Sequence, residues 1–244
     1  AVGANTDSGK LSVRIEQQGD ITAEDTLDGK VIELYTKNGK ITTKKDVTAT
    51  DKVELTAETG SIETGNVKAT TGNVSYDAKT GITANGSVTA GTDVSMNNQE
   101  NEIKTGANAE INAGKDVTLT NNNGSITTGS SVTAGNDSKL TTTTGNINAN
   151  GSVTAGNDSK LTTTTGNINA NGSVTAGNNS SMKTTTGNIN TGSTVSAGNN
   201  VSFNVDENGN VTTSGDVTAN KDITYDAKGS ITTGGSINST VGNI

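Results

Sequence analysis

"SVTAGNDSKLTTTTGNINANG" runs from Ser131 to Gly151 and recurs without a change from Ser152 to Gly172. A duplication of this kind is either low-complexity polymer or the mark of a structure in which both copies hold equivalent places. The choice turns on whether the unit extends beyond the two perfect copies. Ile147 in "GNINANG" serves as an anchor, and equivalent positions lie at Ile21, Ile41, Ile62, Ile82, Ile103, Ile126, Ile168, Ile189, Val211 and Ile231. Their spacings are 20, 21, 20, 21, 23, 21, 21, 21, 22 and 20. One unit of about 21 residues therefore recurs about eleven times and governs the chain.

Each unit carries three apolar clusters. The second follows the anchor, usually by six residues, at Leu27, Val47, Val67, Val88, Ile111, Val132, Val153, Val174, Val195, Val217 and Ile237. Ile111 stands eight residues beyond its anchor, which accounts for the long spacing of 23. The third set is Leu34, Leu55, Tyr76, Met96, Leu119, Leu140, Leu161, Met182, Phe203 and Tyr225. Within a unit, Ile147 and Ala149, then Val153 and Ala155, then Ser159, Leu161 and Thr163 alternate with polar neighbours, the period of strands with one buried face. Gly, Asn, Thr and Ser are poor helix formers. Pairs such as Asn150-Gly151 and Gly156-Asn157 supply turns between the strands.

A meander of hairpins gives no reason for a unit of three strands. A coil of three strands stacked on the next coil places identical segments parallel and in register. The fold class expected is all-β: a parallel β-helix, right-handed by the general crossover preference, with three strands and about 21 residues per coil and about eleven coils. At the usual strand separation such a stack is on the order of 50 Å long. Residues 1–244 are expected to form a single segment, with 1–16 a partial first coil and 17–244 the repeated coils. Neither terminus reads as a cap, so the segment is expected to be excised from a longer solenoid, with open edges that invite end-to-end or lateral self-association.

Composition fits this reading once the architecture is in place. Leu, Ile, Val and Phe make up roughly 18% of the chain, a level otherwise associated with disorder. The chain has Pro 0, however, and disordered segments are usually enriched in Pro. A backbone that must donate hydrogen bonds to the coils above and below has no place for Pro. With Cys 0 and His 0, thiol chemistry and Cys-based metal sites are excluded. The net charge of -8 and a single arginine, Arg14, argue against nucleic acid as a partner. No apolar run is long enough to span a bilayer, and "AVGANTDSGK" lacks the regions of a signal peptide.

No catalytic, cofactor-binding or metal-ligating residues are expected. Enzymes on parallel β-helices need clustered carboxylates with a Lys, Arg or His in a groove walled by long loops. Here the largest departure is the two-residue insertion in "TGANAEINAG", too short to wall a cleft, and the chain is read as no enzyme. Asp137 and Asp158 in successive "GND" turns suggest a cation column, but the next copies hold Asn179 and Asn200, and Lys139 and Lys160 lie nearby to offset the charge. Among the aromatics, Tyr76, Phe203 and Tyr225 occupy the third core position and Tyr35 follows Leu34, so a core role is expected rather than a sugar platform. Outward Thr141 and Thr143 align with Thr162 and Thr164 in a grid of the kind presented by ice-binding solenoids. That grid is expected to be short, with Lys183 after it and Asn121 to Asn123 before it. Asn146, Asn167 and Asn188 are expected to form an amide ladder along the rod.

Units such as "GNINANGSVTAGNDSKLTTTT", with glycine at the turns, no cysteine and an acidic balance, resemble the repeat shafts of filamentous haemagglutinin-like exoproteins of bacterial two-partner secretion. The resemblance covers nearly the whole chain from about Leu11 and consists of periodicity and composition. It implies a secreted or outer membrane-associated cell-surface rod that carries a distal adhesive or toxic region toward host or neighbouring cells. An outer-membrane transporter would be its partner during export. The alternative is a binding module that uses a Thr-rich face for ice, or a cation-dependent adhesive surface.

Overall fold

The computed structural model describes residues 4–244, with side chains from Gly9 onward, and every strand in it pairs parallel. The chain is an all-β parallel solenoid of about eleven turns and about 21 residues per turn, with no helix among the described residues. The first face stacks eleven three-residue strands from Ile21–Ala23 to Ile231–Thr233 into one sheet. A second sheet, of 20 strands, carries the other two faces. On the second face run short strands such as Val132–Ala134 and Val153–Ala155, and on the third face longer ones such as Ser138–Thr144 and Ser159–Thr165.

The duplicated stretch sits where its repetition demands. Ser138 pairs with Ser159, Lys139 with Lys160, Leu140 with Leu161 and Ile147 with Ile168. Each residue thus meets its own copy one coil away, and the amides that open the strands find their acceptors there. The Ile147 amide donates to Asn167 O at 2.9 Å and the Val153 amide to Ser173 O at 2.8 Å. Proline at any of these positions would delete a donor in the ladder.

The second and third segments are separate only from the third coil onward. In the first coils they run together as continuous strands, Leu27–Asn38 and Val47–Ala57, with Ala4–Gln18 stacked on the first of them. The Gly-Asn pair of corners such as Gly72-Asn73 and Gly156-Asn157 is absent from these early ones, as it is from the corners at Gly91-Thr92 and Gly114-Lys115 where the strands do separate. The one-residue difference in length between the first two coils is absorbed by a register shift between Gly29 and Val31. The two-residue insertion is taken up locally: Ala109 N donates to Gly106 O at 3.0 Å, Ala109 turns inward, and Ile111 returns to register beside Val88.

The interior is one continuous column of side chains. Anchors from Ile21 to Val211 are 0–2% exposed, and Leu34, Leu55, Tyr76, Met96, Leu119, Leu140, Leu161, Met182 and Phe203 fill the third corner. Phe203 packs on Tyr225 with ring centroids 4.8 Å apart. The low apolar content is sufficient because polar side chains also face inward in a fixed way. Thr142, Thr163 and Thr184 are buried and donate to the carbonyls of Gly124, Gly145 and Gly166 at 2.7, 2.9 and 2.9 Å. In two other coils buried Asn98 and Asn121 take this position, with Asn98 Nδ2 donating to Asn121 Oδ1 at 3.1 Å. In the last coil Ile231 is 47% exposed, and Val241 and Ile244 beyond it are 79% and 71% exposed.

Candidate functional site

The surface is organised as ladders that run along the axis, and their chemistry changes along the chain. The first coils carry ion pairs between successive strands. Glu33 stands between Lys10 and Lys52, which also reaches Glu54 at 2.9 Å. The two lysines, Lys10 foremost, hold the Glu33 carboxyl below its ordinary range. Arg14 lies 3.8 Å over the Tyr35 ring and bonds Glu16, while Tyr35 OH donates to Glu58 at 2.6 Å. That hydrogen bond raises the Tyr35 phenol above its usual value. Tyr35 is therefore a surface residue held by charge, unlike Tyr76, which is buried and bonded to Thr64 at 3.2 Å. Tyr35 stands 21 residues after Arg14, one unit, so the period places the two on adjacent coils, while Glu58 follows Tyr35 by 23 and falls outside it.

From Val117 to Val205 the charged side chains are only Asp137, Asp158, Lys139, Lys160 and Lys183, and neutral ladders take over. On the first face Asn169 Nδ2 donates to Asn148 Oδ1 at 2.8 Å and Asn190 Nδ2 to Asn169 Oδ1 at 2.9 Å. The column of Asn146, Asn167 and Asn188 behaves differently from an amide-to-amide ladder. There Asn146 Oδ1 accepts the Asn167 backbone N–H at 2.8 Å, Asn167 Oδ1 accepts that of Asn188 at 2.7 Å, and Asn188 Oδ1 accepts that of Asn210 at 2.8 Å. These residues sit at corners, where the next coil offers a backbone donor. Asn148, Asn169 and Asn190 stand outward on a flat strand, where it offers a side chain.

The same corner chemistry explains the aspartates. Their column extends beyond the "GND" pair: the backbone N–H of Asp116 donates to Asp93 Oδ1 at 3.2 Å, that of Asp137 to Asp116 at 3.1 Å, and that of Asp158 to Asp137 at 3.0 Å. Asp158 Oδ1 in turn accepts from Asn179 N and Nδ2 and from Asn178 Nδ2. No ion pair joins Asp137 or Asp158 to Lys139 or Lys160 among the described residues. No three metal-ligating side chains converge among them either. Each carboxylate acts as a hydrogen-bond acceptor for the next coil, a role an amide oxygen fills equally well.

A prediction separates that role from cation binding. The D137N/D158N double variant should keep its unfolding free energy in urea within about 0.5 kcal/mol of the parent, since the acceptor oxygens remain. Asp→Ala at the same two positions should cost about 1 kcal/mol each through lost hydrogen bonds. A midpoint that rises with calcium in the parent and not in D137N/D158N would instead assign the column to a cation.

The threonine grid is one coil longer on its first side than the spacing suggests. Thr120 pairs with Thr141 and Thr141 with Thr162, after which Lys183 follows; Asn121 stands beside Thr142. The adjoining outward column reads Thr118, Lys139, Lys160 and Ser181. The Thr141 and Thr162 hydroxyl oxygens are shielded from solvent and without a hydrogen-bond partner. The grid thus presents methyl groups interrupted by ammonium groups.

With this geometry in hand, comparison with protein-family models, with curated proteins and with solved structures finds no match to the chain. Architecture and surface chemistry are the ground on which a function is argued.

Proposed function

We propose that the chain is a structural shaft: a segment of an exported bacterial surface protein that sets the distance between a cell and a distal adhesive or toxic region. One observation carries this reading. An in-register stack continues from Ile21 to Ile237 with corners of nearly constant length, so the repeated sequence is spent on length. The haemagglutinin-like units support the same reading and bring with them export through an outer-membrane partner, a cell-surface or released location, and contact with host or neighbouring cells by regions outside this segment. Self-association end to end or side by side belongs to the same proposal, since a parallel stack exposes strand edges at its ends.

A shaft predicts that coil number matters and coil identity does not. Deleting Ser131–Gly172, two whole units, should leave the β circular dichroism intact and shorten the rod by about 10 Å, readable by small-angle scattering. The full chain should give no thermal hysteresis and no saturable heat with calcium. Hysteresis would move the assignment to the ice-binding alternative, and a calcium isotherm to a cation-dependent adhesive surface.

A further inference from the structure

Six asparagines are followed directly by glycine: Asn38, Asn85, Asn123, Asn150, Asn171 and Asn208. The chemistry available to such a pair is intramolecular. The glycine nitrogen attacks the asparagine Cγ, an N–Cγ bond forms, the Cγ–Nδ2 bond breaks, and ammonia leaves carrying the proton from the glycine N–H. The resulting succinimide is opened by water at either carbonyl, giving aspartate or isoaspartate. The attack needs a glycine N–H that is not committed to a hydrogen bond, a side chain open to solvent, and stabilisation of the charge that gathers on Oδ1.

We infer that Asn150 is a built-in site of this modification, and that Asn123, the same dipeptide in the preceding coil, is protected from it. Asn150 is exposed at the corner between the first and second faces, and no backbone acceptor takes the Gly151 N–H. Its Oδ1 accepts a hydrogen bond from Asn171 Nδ2 at 2.9 Å, a contact created by the stacking of the two duplicated units. A donor at that oxygen polarises Cγ and stabilises the developing oxyanion. Asn171 has the same exposure and a free Gly172 N–H but no donor on its own Oδ1. Asn85 spends its Nδ2 on Glu63 at 3.0 Å, and Asn38 Oδ1 receives only a 3.4 Å bond from Thr59, whose hydroxyl also reaches Lys37 O. Asn123 is exposed as well, yet the Gly124 N–H is held by Thr144 O at 2.6 Å, so its nucleophile is occupied.

Conversion changes the surface where it is least charged. The coils from Val117 to Val205 carry two carboxylates and three ammonium groups, and one new carboxylate at position 150 brings that band from +1 to zero. Isoaspartate also adds a methylene to the backbone at a corner whose neighbours stand in strict register.

The test is incubation of the intact folded protein at mildly alkaline pH, followed by cleavage after lysine and mass spectrometry. The cleavage places Asn123, Asn150 and Asn171 in three different peptides. The expected order of amide loss is Asn150 first, Asn171 more slowly and Asn123 last. In urea the three rates should converge, because the dipeptides are the same. Asn171→Ala should slow conversion at Asn150 about fivefold in the folded protein, the worth of one exposed hydrogen bond. Equal rates at Asn123 and Asn150 in the folded state overturn the inference; an Asn150 rate unchanged or raised by Asn171→Ala overturns the role of the donor.

Discussion

Gly145→Val is expected to destabilise the solenoid by about 4 kcal/mol. Gly145 has φ +135°, and the glycines stacked with it, Gly124, Gly166 and Gly187, have φ +148°, +145° and +139°. A β-branched residue in this region costs of order 1–3 kcal/mol in strain alone. Space is the second penalty. A Cβ on Gly145 would overlap the Gly124 carbonyl and stand 2.8 Å from Ser125 N, so the coils would have to part. Parting them stretches the Gly124 amide from Thr144 O and the Thr142 hydroxyl from Gly124 O, now 2.6 and 2.7 Å. Because each coil touches only its neighbours, the damage should be local before it is global. Hydrogen exchange should show faster amides at Ile126 and Ile147 while Ile41 and Ile62 keep their protection. Thr164→Ala, at an exposed position of the same corner, is the control and should stay within about 0.5 kcal/mol. An unchanged urea midpoint for Gly145→Val would refute the claim that these glycines set the spacing of the coils.

The corner glycines also show how much of the fold was legible. A period of about 21 residues could be read because every coil repeats the same demands: an inward Ile at Ile147 and Ile168, a glycine where the chain must turn at Gly145 and Gly166, a β-branched residue at Val153 and Val174. Strict stacking makes each position meet its own copy, so sequence similarity and spatial contact become the same relation. The fusion of Leu27–Asn38 into one strand was not legible in this way. Its Gly29-Lys30 pair also occurs at Gly114-Lys115, where the strands do separate, so the corner pair does not distinguish a fused strand from a turn. The ladders were half legible. Asn columns could be seen, but whether Asn146 meets an amide or a backbone N–H depends on whether it stands on a face or at a corner. The period places Arg14 beside Tyr35, 21 residues on, but not Glu58, which the Tyr35 hydroxyl reaches across 23 residues. Function is less legible still. An outward residue in a stack is constrained by its neighbours in the ladder, so a regular column of Thr or Asn records the needs of the rod before those of any partner.

The inward serines of the third face give the second large effect, of opposite sign. Ser138, Ser159 and Ser180 are 1–2% exposed, and their hydroxyls have no hydrogen-bond partner. They stack on one another in register, between Val117 below and Val201 above. The coils nearer the first end use Val53, Val74 and Val94 at this position. A buried hydroxyl without a partner costs about 1–3 kcal/mol, whereas valine at a site already shaped for valine gains the transfer of its methyl groups from water. The stack should accept the larger side chain because its flanking members already carry it. The triple variant Ser138→Val, Ser159→Val, Ser180→Val is expected to raise stability by about 3 kcal/mol and to slow exchange of the Leu140 and Leu161 amides. Single variants should contribute roughly a third each, with Ser159→Val smallest because both its neighbours remain serine and leave gaps beside the new methyl groups. A triple variant less stable than the parent would mean that the column requires its hydroxyls.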